Sequence, residues 1–173
     1  MKEGKMRKRL LMILGMVCLF LFLSSVVRAE KLSVPVCGFI AQGHEAEQLE
    51  IDPGYGSYIY RTGTENFFLT PVYLPHGSII KWMKLHFIDN DPSYGLNVLL
   101  LRVNKYTGDP HIIYEVWTSG DSSSIRQLTD AAPGNPAYAL VNNDVCAYYV
   151  GIVFAGGSAG TDRMVYGITI NYE

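Results

Sequence analysis

Apolar and polar positions alternate with a period of two along much of the chain, most clearly between Thr70 and Val103. From Ile79 to Asp89, Met83, Leu85 and Phe87 fall on one face, and Trp82, Lys84 and His86 on the other. That is the signature of a strand buried on one side only. Asn90-Asp91-Pro92-Ser93-Tyr94-Gly95 follows with turn chemistry: Asn and Asp fold their side chains onto the backbone, Pro fixes φ, and Gly permits positive φ. Leu96 to Val103 is nearly all apolar, as expected of a strand covered on both faces or lying centrally in its sheet.

Further strands are predicted over Leu32–Phe39, Ser57–Arg61, Asn66–Tyr73, His111–Thr118, Cys146–Phe154 and Met164–Tyr172. Asn104 to Pro110 closes a hairpin between Val103 and His111. Gly120–Ser124 reads as a polar loop before a short edge strand at Ile125–Leu128, and Ala137–Val141 is ambiguous. Ala41–Glu50 alone has helix-like composition, weakened by Gly43, and reads as a polar loop or one helical turn. Short strands rich in β-branched and aromatic residues, with no long helix, predict an all-β fold. The expected form is an antiparallel β-sandwich, jelly-roll-like, of about eight to ten short strands.

The N-terminus changes the picture. Lys2, Lys5, Arg7, Lys8 and Arg9 precede the apolar run Leu10–Leu23, and Val27-Arg28-Ala29 suits a signal peptidase. Residues 1–29 therefore read as a signal peptide and residues 30–173 as a single β-sandwich domain, secreted or periplasmic, with no stable membrane anchor after cleavage. Val17 before Cys18 does not suit lipid attachment. Without the leader the chain keeps eight basic and fifteen acidic residues, the basic ones scattered singly. No electrostatic footprint for nucleic acid exists. Cys37 and Cys146, 109 positions apart, are the even pair left in an exported chain. A disulfide between them is expected, stabilising by about 4–5 kcal/mol in the loop-entropy model.

The run Phe68-Leu69-Thr70-Pro71-Val72-Tyr73-Leu74-Pro75-His76-Gly77-Ser78-Ile79-Ile80 resembles a pattern of small exported bacterial β-proteins of no known function. Leu96–Val103, Asp144–Val150 and the closing Tyr166-Gly167-Ile168 are similar to later parts of that pattern. The resemblance implies the fold and export; it brings no activity, cofactor or site residue.

Motifs for chemistry are few. Gly156-Gly157-Ser158-Ala159-Gly160 matches the nucleophile elbow by letter, but a strand and no later His follow it, so a glycine-rich hairpin loop is expected. His44-Glu45-Ala46-Glu47-Gln48 has Gln48 where a zinc protease needs its second His. The histidines have no metal-ligand spacing, and turn formation accounts for Asp89, Asn90 and Asp91 without calcium. No cofactor, no metal and no catalytic set is predicted. Aromatics remain: Trp82, Trp117 (in phase with Ile113 and Glu115) and Tyr149 lie opposite the apolar sets of their strands. In one sheet they would form a platform for stacking on sugars or for a protein interface.

These readings predict a non-catalytic domain acting by binding or assembly, with Leu99 and Leu101 as apolar outer positions of a homo-oligomer contact. The alternatives are a carbohydrate-binding module with a glycan partner and a small hydrolase.

Overall fold

The computed structural model describes residues 29–41, 49–51, 58–62, 66–157 and 159–173. Residues 1–28 of the predicted signal peptide, residues 42–48 of the predicted polar loop (with His44–Gln48) and Ser158 lie outside the described residues. The strands are β1 (Glu30–Val34), β2 (Ile40–Ala41), β3 (Leu49–Ile51), β4 (Ile59–Arg61), β5 (Phe67–Val72), β6 (Ile80–Asp89), β7 (Leu96–Asn104), β8 (Pro110–Trp117), β9 (Ser122–Asp130), β10 (Cys146–Phe154) and β11 (Arg163–Tyr172). They form two antiparallel sheets. The six-stranded sheet runs β3-β4-β11-β6-β9, with β1 also paired to β11; the five-stranded sheet runs β2-β5-β10-β7-β8. The all-β sandwich stands as the alternation predicts. Among the described residues no helix is long and apolar enough to cross a membrane.

The core is the meeting of the inward sides. Met83, Leu85 and Phe87 of β6 face Val98 and Leu100 of β7 and Val150, Ile152 and Phe154 of β10, all essentially without exposure. Phe68 meets Phe154 edge to face, ring centres 5.8 Å apart, and the buried Tyr114 donates its hydroxyl to the Ile80 carbonyl at 2.9 Å. Aromatic edges and a satisfied hydroxyl let these large groups pack without stranding a polar atom.

Several elements differ from expectation. The first strand stops at Val34, because Pro35 lacks an N–H and a 3-10 turn over Val36–Gly38 follows. Where a loop and a four-residue strand were expected, β9 is nine residues long. Its side chains are exposed on both faces, so no alternation marks it. Pro136–Tyr138 forms a 3-10 turn, and Leu140 bridges Ile79. The loop holding Gly156 and Gly157 is not a hairpin. It leads from β10 in one sheet to β11 in the other, as the Asn90–Gly95 turn leads from β6 to β7.

The expected disulfide is absent: Cys37 is exposed and Cys146 buried, each a free thiol. The reason is position along the strands. Gly38, next to Cys37, packs against Thr70, which pairs with Val150. Cys146 lies four residues further along β10, about 13 Å at the rise of a strand, whereas a disulfide spans at most about 7 Å between Cα atoms.

Candidate functional site

Two outer faces remain, and their chemistry differs. On the five-stranded sheet, pairing aligns Leu101 with Tyr149 and Ile112, Tyr149 with Pro71, and Leu99 with Gly151, which in turn faces Leu69 beside Ile40. These rows floor a groove of about 730 Å³ lined also by Phe67, Val103 and Pro110. Gly151 lets the groove form: a Cβ there would sit 2.8 Å from the Phe67 ring and 3.2 Å from a Leu69 methyl. Tyr149 brings the one side-chain hydroxyl among the lining residues. At one end Trp117, 57% exposed, stands opposite Asn97, whose amide donates to Glu115 at 2.8 Å.

On the six-stranded sheet the outer face is polar and aromatic. Thr169 pairs with Lys84 and Lys84 with Thr129; Gly167 pairs with His86 and His86 with Gln127; Asn171 pairs with Trp82. Lys84 places its ammonium 5.5 Å from the Trp82 ring. Beside these residues Tyr58 meets Tyr60 and Tyr166, ring centres 6.0 and 5.3 Å apart. Gly167, at a bulge in β11, leaves a bare patch of backbone beside His86, with nothing within 4 Å of where a Cβ would stand.

The structure brings together two of the three predicted aromatics. Trp117 and Tyr149 share the outer face of the five-stranded sheet, but Tyr149 lies in the groove and Trp117 at its end. Trp82, in β6, belongs to the other sheet and the opposite side of the molecule. A bulge between Leu100 and Leu101 also breaks the expected phase of β8. Ile113 turns into the core while Glu115 and Trp117 stay outside. Leu99 and Leu101 occupy outer positions, as expected. The tyrosine cluster was not foreseen, although Tyr58-Ile59-Tyr60 alternates in the sequence.

The polar groups at one end of the sandwich are consumed by architecture. Asp91 accepts the Ser93 and Tyr94 N–H groups at 2.9 and 3.1 Å, an Asx turn. Arg163, buried, donates to the Ala155 and Gly156 carbonyls at 2.9 and 2.8 Å. Arg61 donates to the Gly157 carbonyl, and burial followed by the nearby Arg163 charge lowers the pKa of the Arg61 guanidinium. Gly156 and Gly157 take φ of 61° and 69°, where a side chain would strain. The two arginines hold the carbonyls of Ala155, Gly156 and Gly157, and the segment joins strand to strand, whereas a nucleophile elbow joins a strand to a helix; Ser158 itself lies outside the described residues. Among the described residues no group of three His, Cys, Asp or Glu is placed to hold a metal.

No family model and no curated protein matches the sequence. Solved structures share the fold. A xylan-binding module, CBM15, is 12% identical with a TM-score of 0.53, over 83% of this chain and 97% of that one. The C-terminal CBM6 of a marine laminarinase from Zobellia galactanivorans is 10% identical with a TM-score of 0.51, over 82% and 98%. A Clostridium thermocellum xylanase, its CBM22-1 and GH10 modules complexed with xylohexaose, is 11% identical with a TM-score of 0.54. The match takes in 85% of this chain and 28% of that longer one. At such identities the likeness is one of fold, a β-sandwich.

Proposed function

We propose that the protein is a non-catalytic glycan-binding domain, with a polysaccharide chain lying on the outer face of the six-stranded sheet. The observation that carries the reading is the make-up of that face. Trp82 and the tyrosine cluster stand among Lys84, His86, Gln127, Thr129 and Thr169, with bare backbone at Gly167 between them. Flat rings stack on the C–H faces of sugars, and the neighbouring hydroxyls, amide and amine exchange hydrogen bonds with sugar hydroxyls. The groove on the other sheet offers a single side-chain hydroxyl, that of Tyr149, so most sugar hydroxyls buried there would lack a partner, at about 1–3 kcal/mol each. The xylan-binding and CBM6 modules of like fold support the reading. The predicted leader would deliver the domain to polysaccharides outside the cytoplasm.

The test is retention in gels containing xylan or β-glucan. The protein is expected to be retarded, and Trp82→Ala to lose at least about tenfold in affinity, about 1.4 kcal/mol. Gly167→Leu, which covers the bare patch, is expected to weaken retention, and Trp117→Ala to leave it unchanged. Absence of retardation on either glycan, or full retention by Trp82→Ala, would overturn the proposal.

A further inference from the structure

We infer that the glycan is acidic: the outer face of the six-stranded sheet selects a polysaccharide that carries uronate carboxylates. The inference rests on the glycan reading of that face and names the class of sugar it takes.

The distribution of basic residues carries it. Among the described residues, Arg61, Arg126 and Arg163 donate to backbone carbonyls, and Lys105 donates to the Asn143 carbonyl. Lys81 pairs with Glu173, and Arg102 lies 3.9 Å over the Tyr138 ring. Lys31 and Lys84 alone have neither a carbonyl nor a carboxylate, and both belong to this one face. Lys31 is exposed on β1 while Val34 is buried and Leu32 packs on the core. It pairs with Asn171, itself opposite Trp82, and Lys84 follows two residues along the strand of Trp82. At the spacings of a sheet the two lysines stand about 12 Å apart. Trp82 shares the row of one and the strand of the other.

The remaining charges leave that patch positive. Glu30 is held by the Tyr172 hydroxyl at 3.1 Å, and Glu173 by Lys81. Among the described residues the one acid in register with the face is Glu50, across from Tyr60 at its far edge. Beyond residue 29 the chain has eight basic and fifteen acidic residues, so two unpaired ammonium groups on one side are a local reversal of sign. The acids elsewhere are screened beyond about 10 Å at 0.1 M salt.

The geometry suits a uronate. A hexuronate stacked on Trp82 holds its carboxylate at the edge of the sugar ring, not on the face. The Lys84 ammonium, 5.5 Å from the Trp82 ring centre, stands beside that edge. Lys31 meets a further uronate along the chain, and His86, with at least one ring N–H in any protonation state, adds a donor.

The experiment is affinity electrophoresis of the protein as exported, in two pairs of gels. One pair holds glucuronoxylan and the same xylan with its carboxyls reduced to alcohols; the other holds polygalacturonate and its reduced form. The first carries uronate as a side group and the second in the backbone, so the pair that responds tells the source. An exposed ion pair is worth roughly fivefold at most, and two are expected to give about a tenfold preference for the charged member. About 1 M NaCl is expected to remove it. Lys31→Gln and Lys84→Gln are each expected to lower the preference about threefold, and together to abolish it. The ratio within a pair is the readout, because lost packing on Trp82 lowers both members alike. Lys105→Gln removes the same charge elsewhere and is expected to keep the preference. Equal affinity within each pair would overturn the inference and leave the glycan reading standing, whereas no retardation in any gel would overturn both. A preference that survives the double substitution, as one due to Lys2–Arg9 would, also overturns the inference.

Discussion

Thr118 and Asp89 join the two sheets: the Thr118 hydroxyl donates to the Asp89 carboxylate, and both residues are buried. Asp89 ends β6 in the six-stranded sheet, and Thr118 follows β8 in the five-stranded one. The same hydroxyl accepts the Leu96 N–H at 2.7 Å, and the second carboxylate oxygen accepts the Asp91 N–H at 3.3 Å. Thr118→Val keeps the shape but leaves a buried carboxylate and a backbone N–H each short of a partner. It is expected to cost about 2–3 kcal/mol, read as a lower urea midpoint at unchanged slope. Gly95→Ala presses on the same corner, since its Cβ would stand 2.4 Å from the Thr118 carbonyl oxygen. Because that atom is backbone, a loss of about 1–3 kcal/mol is expected there too.

The second prediction concerns alkaline pH. Burial, and then the Asp130 charge, push the Tyr114 phenol up to about 12. Its neutral form is the one that fits, donating to Ile80. A pKa raised in the folded state stabilises fully below the unfolded value near 10 and is lost as pH rises toward about 12. Burial also raises Tyr148, against the Asn142 N–H that donates to it at 2.7 Å. Melting temperature is therefore expected to fall above pH 10, and Tyr114→Phe to flatten part of that fall while costing about 1 kcal/mol at neutral pH. A wild-type melting temperature level through pH 12 would contradict this.

A third prediction follows from the thiols. In the folded protein Cys37 is expected to react with an aqueous alkylating reagent, and Cys146 only after denaturation. Peptide mapping distinguishes the two. Recovery of a peptide linking Cys37 to Cys146 from the unreduced protein would instead show that the chain closes a distance the fold keeps open.

What could be read in advance was the side of each strand, not the sheet it joins. Met83, Leu85 and Phe87, or Tyr148, Val150, Ile152 and Phe154, had to point one way because each strand presents one face to the core. Period two carries no label for the sheet, however. Asn90–Gly95 is chemically sound for a hairpin and for a crossover alike, so Trp82 could be set beside Trp117 when the fold separates them. The bulge opposite Leu101 shifts Ile113 inward without any glycine or proline to announce it. With both faces in solvent, β9 has no alternation to show. At the groove, Leu99 and Leu101 stood out as apolar on an outer side, whereas Phe67 and Ile112 lie in strands whose inner neighbours are equally apolar.

The position of β11 sets the timing of folding. It forms the spine of the six-stranded sheet, paired with β1, β4 and β6, yet it comes last in chain order of the eleven strands among the described residues. During vectorial synthesis its three partners emerge first and wait, with their inner faces uncovered, until Arg163–Tyr172 arrives. Such long-range closure is slow. A chain interrupted before Arg163 keeps only the β3-β4 and β6-β9 pairs of the six-stranded sheet, with β1 left without its partner strand.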